Sequence, residues 1–359
     1  MKILSVIGAR PQFVKAAMVS REIALCDGVQ EILVHTGQHF DRNMSQLFFE
    51  EMGLRAPDFN LGIHGMPHEA MVDAMGDKIG QIIDEVHPDV MLVYGDTDST
   101  WAGARTAYRK HLKVCHVEAG LRSGNLAMRE EFNRVQTDKV SDLLFAPTEK
   151  AADNLLREGI AADKIAIVGD VMKDAVFHFR KFAKRPDVTL PDKFMLCTLH
   201  RAENTDDAAI LKALLHAIEA AAKLLPTVMP LHPRTRKCME QIGWPVDSSP
   251  IIFVPPVGYL EMLYLLDHCT LVLTDSGGLQ KEAYFFKRCC VTLREETEWT
   301  ELTDCGCNCL TGHDYDRIDT AVQRFMSRPP LFTDHLYGDA HAAAAIVQTI
   351  KDLGEAGSL

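Results

Sequence analysis

The sequence predicts an α/β protein built from two doubly wound parallel-sheet lobes. Short apolar runs alternate with segments of helical period through the first half of the chain, and the second half repeats the plan. The chain has 359 residues, room for two domains of ordinary size. Its 47% hydrophobic and 25% charged residues are the mix of a globular protein with sizeable cores.

In the first half the apolar runs place strands at Lys2–Ile7, Glu31–Thr36, Val90–Tyr94, Lys113–Val117, Leu143–Ala146 and Ala166–Val168. Helical period fills Met71–Val86 and Lys150–Glu158 between them. In the second half strands fall at Phe194–Leu199, Thr227–Leu231, Ile251–Val254, Leu271–Thr274 and Cys289–Thr292, with helices over Ala208–Leu224 and Leu260–Asp267. The polar, Pro-bearing KRPDVTLPD marks the region where one lobe gives way to the next. The expected division is residues 1–170, residues 171–340, and a C-terminal helix within 341–359.

Bulk properties narrow the function. A formal net charge of −12 argues against a general nucleic-acid binder, though local basic pockets still suit a diphosphate. The apolar stretch Ile3–Ile7 is too short for a signal-peptide core or a membrane span, so a cytoplasmic protein is expected. Of ten cysteines, Cys305, Cys307 and Cys309 form a C-x-C-x-C run without a fourth ligand in register. Reduced thiols and no metal are the expectation.

In open α/β sheets ligands bind beyond the carboxyl ends of the strands, and two lobes can turn those ends toward a shared cleft. The residues just after each strand therefore carry the chemistry. Gly8-Ala9-Arg10 follows the first strand, with Lys15 one turn into the next helix, and offers cations to an anionic ligand. Gly37-Gln38-His39 follows the second and reads as a ligand loop for sugar or base. Asp96 and Glu118 end two successive strands, and Glu130-Glu131-Phe132-Asn133-Arg134 follows a short loop later, supplying acid/base candidates. In the second half His200-Arg201 and His232-Pro233-Arg234 end successive strands, placing a proton carrier and a phosphate clamp. Ser276-Gly277-Gly278 opens a helix after a strand, where backbone N–H groups can meet a phosphate, and Glu282 one turn on can take ribose hydroxyls.

These blocks also resemble a known family in content and order. GARPQFVK, TGQHFD, VYGDTDST, VEAGLRS, EEFNR, DLLFAPTE, LHRAENTD, PLHPRT and LTDSGGLQKEA are similar to the motifs of the non-hydrolysing UDP-N-acetylglucosamine 2-epimerases, over about residues 1–312. The resemblance implies two Rossmann-like lobes facing a central cleft (the GT-B fold), with the C-terminal helix crossing back to the first. It implies C2 inversion by elimination and re-addition of UDP, with no cofactor, in a homodimer of bacterial polysaccharide biosynthesis. Asp96, Glu118 and Glu130 then stand as acid/base residues and His200 as the active-site histidine. Arg10, Lys15, Gln38, His39, Arg134, Arg201, His232, Ser276, Gly277, Gly278 and Glu282 stand as substrate or UDP contacts. The chain departs from many members at Arg129, where they have Pro, and at Trp299, where they have Arg. GARPQF, LHRAENTD and TEW look closer to the branch that epimerises UDP-2,3-diacetamido-2,3-dideoxyglucuronate, whose extra carboxylate Arg129 would suit. The stretch Asn43–Leu47, tied to allosteric activation in some members, is only partly similar. The alternatives are a UDP-sugar glycosyltransferase of the same fold and a non-catalytic UDP-sugar sensor.

Overall fold

The computed structural model describes residues 1–38, 49 and 51–357. The chain divides into two compact units, Met1–His178 with His335–Leu359, and Phe179–Asp334. The divisions fall at 178/179 and 334/335, where the sequence suggested 170/171 and 340/341. The first shift has a simple cause: the helix Val171–Phe179 continues the first unit's βα pattern, and the break comes at its end.

The first unit holds a seven-stranded sheet: β1 (Lys2–Ile7), β2 (Gln30–His35), β3 (Phe59–Asn60), β4 (Val90–Tyr94), β5 (Lys113–Val117), β6 (Leu143–Ala146) and β7 (Ile165–Ile167), in the order β3-β2-β1-β4-β5-β6-β7. Every pairing is parallel, with Val6 opposite Val34 on one side and Val93 on the other. A parallel sheet is covered on both faces, so its central strands must be apolar throughout, and VMLVY of β4 is wholly buried. Leu4, Val6, Val34, Met91 and Val93 form a core with Met75 and Ile79 of the helix His68–Val86 and Ala102 and Ala104 of the helix Asp98–Arg109. Gly76 lies on the side of the first helix that meets Thr106 of the second, where a side chain would crowd its hydroxyl.

The second unit repeats the plan with six strands, β8 (Met195–Thr198), β9 (Thr227–Pro230), β10 (Ile252–Val254), β11 (Leu271–Thr274), β12 (Cys290–Thr292) and β13 (Asn308–Leu310), in the order β10-β9-β8-β11-β12-β13. These pairings are also parallel. Leu211, Leu214, Leu215 and Ile218 of the helix Ala208–Leu224 pack with Ile318, Val322 and Phe325 of the helix Tyr315–Ser327 over Met195, Cys197, Leu271 and Leu273. All ten cysteines are free thiols. Cys309 lies in the edge strand β13, so part of the C-x-C-x-C run belongs to the sheet. No helix among the described residues is long and apolar enough to cross a membrane.

The C-terminal helix Ala342–Glu355 belongs to the first unit and packs on the helix Arg10–Leu25. Its start is held by Asp174, whose carboxylate accepts from Ala342 N at 3.2 Å and Ala343 N at 2.7 Å, two of the N–H groups a helix leaves open. Burial pushes the Asp174 carboxyl up to about 6, against the opposing pull of those two N–H groups. A carboxyl raised on folding holds its proton more tightly in the native state. Its contribution to stability is complete below the unfolded value near 3.8 and is lost as pH climbs through about 6. The wild type should therefore lose stability relative to Asp174→Asn between about pH 4 and about pH 7, followed by urea unfolding at several pH values. A stability difference that stays flat across that window would remove the assignment.

Candidate active site

Strand order reverses between β1 and β4 in the first unit, which opens a crevice at their carboxyl ends. Gln12 spans it. Its Oε1 accepts from Gly8 N at 2.8 Å and Ala9 N at 3.0 Å, and its Nε2 donates to Tyr94 O at 2.9 Å and Thr100 Oγ1 at 3.0 Å. The turn after β1 is thus fixed to the end of β4. Arg10, the first residue of its helix, is half-buried there. Gln38 accepts from both Ser99 N (3.1 Å) and Ser99 Oγ (2.7 Å), which joins the loop after β2 to the helix Asp98–Arg109.

The carboxylates that end β4 and β5 are each paired with a buried cation. Lys15 Nζ lies 2.5 Å from Glu118 Oε1, with both side chains over nine-tenths buried. Lys15, expected to contact an anion beside Arg10, meets a carboxylate of this chain. Glu118 has φ +71°, a left-handed conformation that a bulky residue adopts only where the surroundings impose it, at a cost of about 1–3 kcal/mol. Gly95 has φ +63°, and a side chain there would press on the Lys15 ammonium, so the turn before Asp96 is shaped around this pair. Asp96 Oδ2 is 2.5 Å from Arg134 NH2, and Arg134 NH1 is 3.1 Å from Glu131 Oε2. Arg134, expected to contact substrate, has its guanidinium between these two carboxylates.

The helix Arg129–Val140 brings the third carboxylate. Glu130 sits half-buried in its first turn. Its neighbour Glu131 is 1% exposed and accepts from Ser123 N, Ser123 Oγ and Gly124 N, each at 3.0 Å, so it closes the preceding loop. Asn133 donates to the Asp96 carbonyl and to Asp98 Oδ1, both at 3.0 Å. Asp96 is thus held by Arg134 and Asn133 of this helix and Glu118 by Lys15, while Glu130 stands in the first turn of the same helix.

The second unit has the same reversal between β8 and β11. Here Asp275, fully buried at the end of β11, spans the crevice. Its carboxylate accepts from His200 N at 3.0 Å, Arg201 N at 2.9 Å and Asn204 Nδ2 at 3.2 Å. His200 Nδ1 lies 3.3 Å from the same carboxylate and its ring centroid 6.0 Å from that of His232. The side chain of His200 stays 40% exposed. His232 Nδ1 accepts from Arg234 N at 3.2 Å and caps its helix.

Ser276 caps the helix Gly277–Phe285 without a side-chain bond to it. A Cβ on Gly277 would run into the Glu298 carboxylate, whereas one on Gly278 would meet nothing within 4 Å. Glu282 is 6% exposed, and Tyr259 beside it has its hydroxyl pushed well up by burial and then by the Glu282 charge. Trp299 is 3% exposed, with the Lys281 ammonium 3.8 Å from its ring centroid, a cation–π contact. The tryptophan thus houses a buried cation. Arg129 is exposed at the start of its helix.

Of the expected site residues, Arg10, Lys15, Gln38, Asp96, Glu118, Glu130 and Arg134 lie in the first unit, and His200, Arg201, His232, Ser276, Gly277, Gly278 and Glu282 in the second. His39 and Asn43–Leu47 lie outside the described residues. Sequence reading missed Gln12, Asp275, His116 and Asp138. Asp275 carried a signal, because it follows a strand directly and precedes Ser276. His116 and Asp138 carried none, since their partnership spans 22 residues.

Comparison with known proteins identifies the family. The sequence model of the UDP-N-acetylglucosamine 2-epimerase family matches residues 21–351. A UDP-2,3-diacetamido-2,3-dideoxy-D-glucuronate 2-epimerase of Pseudomonas aeruginosa is 48% identical, covering 98% of this chain and 100% of that protein. A UDP-N-acetylglucosamine 2-epimerase of Methanocaldococcus jannaschii is 38% identical over 91% of this chain and 93% of its own. The crystal structure of the M. jannaschii UDP-GlcNAc 2-epimerase in complex with UDP-GlcNAc and UDP superposes with a TM-score of 0.92 at 36% identity, over 98% of this chain and 100% of that one. The Neisseria meningitidis UDP-GlcNAc 2-epimerase bound to UDP-GlcNAc gives 0.90 at 28% identity, over 98% and 100%. With the strand-end carboxylates on one unit and the open helix N-terminus on the other, these matches establish that the chain belongs to the non-hydrolysing UDP-N-acetylglucosamine 2-epimerase family of nucleotide-sugar isomerases.

Proposed function

We propose that this enzyme inverts C2 of UDP-2,3-diacetamido-2,3-dideoxyglucuronate, with Asp96, Glu118 and Glu130 as its acid/base residues. The observation that carries the reading is that the carboxylates ending β4 and β5 are each held by a buried cation, Asp96 by Arg134 and Glu118 by Lys15, with Glu130 in the first turn of the helix that bears Arg134. The uronate rests on the 48% identity to an enzyme named for that sugar. A carboxylate takes the C2 proton while the C1–O bond breaks, and the bonding pair leaves on the β-phosphate oxygen of UDP. The C1–C2 glycal that remains accepts a proton at C2 from the opposite face as the UDP oxygen re-forms the bond to C1. Both halves need acid/base groups and cations or dipoles that hold the departing diphosphate. Arg10, Arg201, His232 and the N-terminus of the helix from Gly277 supply the latter, with His200 as a proton or phosphate partner and Glu282 on the ribose. Gln38 and His39 complete the sugar side, and Arg129 takes the uronate. The reading carries with it a cytoplasmic homodimer that serves bacterial polysaccharide synthesis, and the ten free thiols suit a reducing compartment.

Incubation in D2O with UDP-GlcNAc and separately with the diacetamido uronate, followed by NMR, tests the reaction. Deuterium should enter C2 as a second epimer forms, faster with the uronate. UDP binding with no exchange in either sugar would sink the epimerase reading and favour a transferase or sensor. A uronate preference undiminished in Arg129→Pro would remove that residue from the argument.

Asp96→Asn, Glu118→Gln and Glu130→Gln should each lower kcat by about 100-fold or more in steady-state assays. A variant with wild-type kcat would strike that carboxylate from the set. Gly278→Ala separates stability from binding. The added methyl meets open space, and alanine favours the helix by up to about 1 kcal/mol, so thermal stability should hold or rise. UDP affinity, read by calorimetry, should fall about tenfold, because the methyl stands where a phosphate approaches the backbone. Unchanged affinity would place the diphosphate elsewhere.

A further inference from the structure

We propose that the buried His116–Asp138 pair is a positioning element that holds the turns bearing Asp96 and Glu118 in register with the helix bearing Glu130. This rests on the carboxylate assignment above and adds residues that the assignment does not contain.

His116 is the last residue but one of β5, and its side chain is 0% exposed, as is that of Asp138. Neither can touch a substrate. Nδ1 of His116 lies 2.7 Å from Asp138 Oδ1, and Nε2 lies 2.7 Å from the carbonyl oxygen of Gly95. Both partners accept, so the ring donates from both nitrogens. One imidazole thereby reaches the residue before Asp96 on one side and the helix of Glu130 on the other. Two residues along the chain from His116 stands Glu118.

Asp138 makes the second half of the brace. Its Oδ2 accepts from Gly120 N at 3.1 Å, two residues past Glu118, and lies 2.8 Å from Arg122 NH1. Arg122 in turn forks onto Glu158 at 2.7 Å through both Nε and NH2. Burial alone would raise the Asp138 carboxyl, but the hydrogen bond and charge of His116, then those of Arg122, hold it below the usual carboxylate range. Asp138 lies eight residues after Glu130 on one helix, just over two turns along. Asn133 on that helix holds the Asp96 carbonyl as well. The backbone on each side of both strand-end carboxylates is thus referred to a single helix. A displacement of about 1 Å in a reacting group is enough to cost about 100-fold in rate, so loosening this brace should act on the chemistry more than on binding.

His116→Asn and His116→Gln take the brace apart one arm at a time. The asparagine amide can stand where Nδ1 does and the glutamine amide where Nε2 does, so each keeps one partner. In both, kcat should fall about 10- to 100-fold while KM and UDP affinity stay within about threefold of wild type. Asp138→Asn should show the same split. A pair that only stabilised the fold would give variants with lower melting temperature and wild-type kcat well below it, and that result overturns the proposal. If Asp96→Asn and Glu118→Gln are fully active, the carboxylate assignment falls. If those two are dead while His116→Asn keeps wild-type kcat, only the positioning role falls. Should the His116 variants not fold, ¹⁵N-histidine NMR of the wild type decides. Two slowly exchanging ring N–H protons assigned to His116 support the brace, and the absence of either removes it.

Discussion

A parallel sheet whose strand order reverses leaves a seam that no crossover helix covers, and the backbone groups at that seam must find partners. In both units a single buried side chain from one lip of the seam satisfies the other. Gln12 uses its carbonyl and its amide to join the turn after β1 to the end of β4. Asp275 uses a carboxylate to gather two backbone N–H groups and an asparagine amide after β8. An amide can both give and take, so Gln12 reaches an acceptor on the far strand. A carboxylate only takes, and it leaves a negative charge beneath His200. The same topology is thus closed by an amide in one unit and by a carboxylate in the other, beside the candidate site residues of each.

Charge burial follows from this layout. Lys15, Glu118, Arg134 and Glu131 are all nine-tenths or more buried, yet each charge has an opposite charge within 3.1 Å. Removing one member of such a pair leaves the other unpaired in the interior, a loss of about 3–5 kcal/mol. Pairs of this kind add little net stability over apolar packing. Their presence here serves to place the carboxylates.

Much of this was legible in the sequence. The strands β1, β4, β5, β6 and β11 fall where their apolar runs place them, because a buried parallel strand has no polar face to blur its ends. β3 and β13 escaped, being edge strands of two and three residues with no apolar run of their own. The strand-end positions of Arg10, Asp96, Glu118, His200 and Ser276 were visible because the apolar runs before them end in the sequence where the strands end. What each side chain touches was not. Lys15 and Glu118 are 103 residues apart, and nothing local to either announces the other. The sequence likewise marked Trp299 as a departure without showing that it shelters Lys281.

The left-handed backbone of Glu118 has a consequence for how this site can change over evolutionary time. Glycine would relax that backbone, and an apolar residue at position 15 would fill the space of the lysine, so a neighbour without the ion pair and without the strain lies nearby in sequence space. Reaching it takes two substitutions, and either one made first strands a buried charge. The route crosses a fitness valley, which protects the pair from the slow erosion that selection for stability alone would bring.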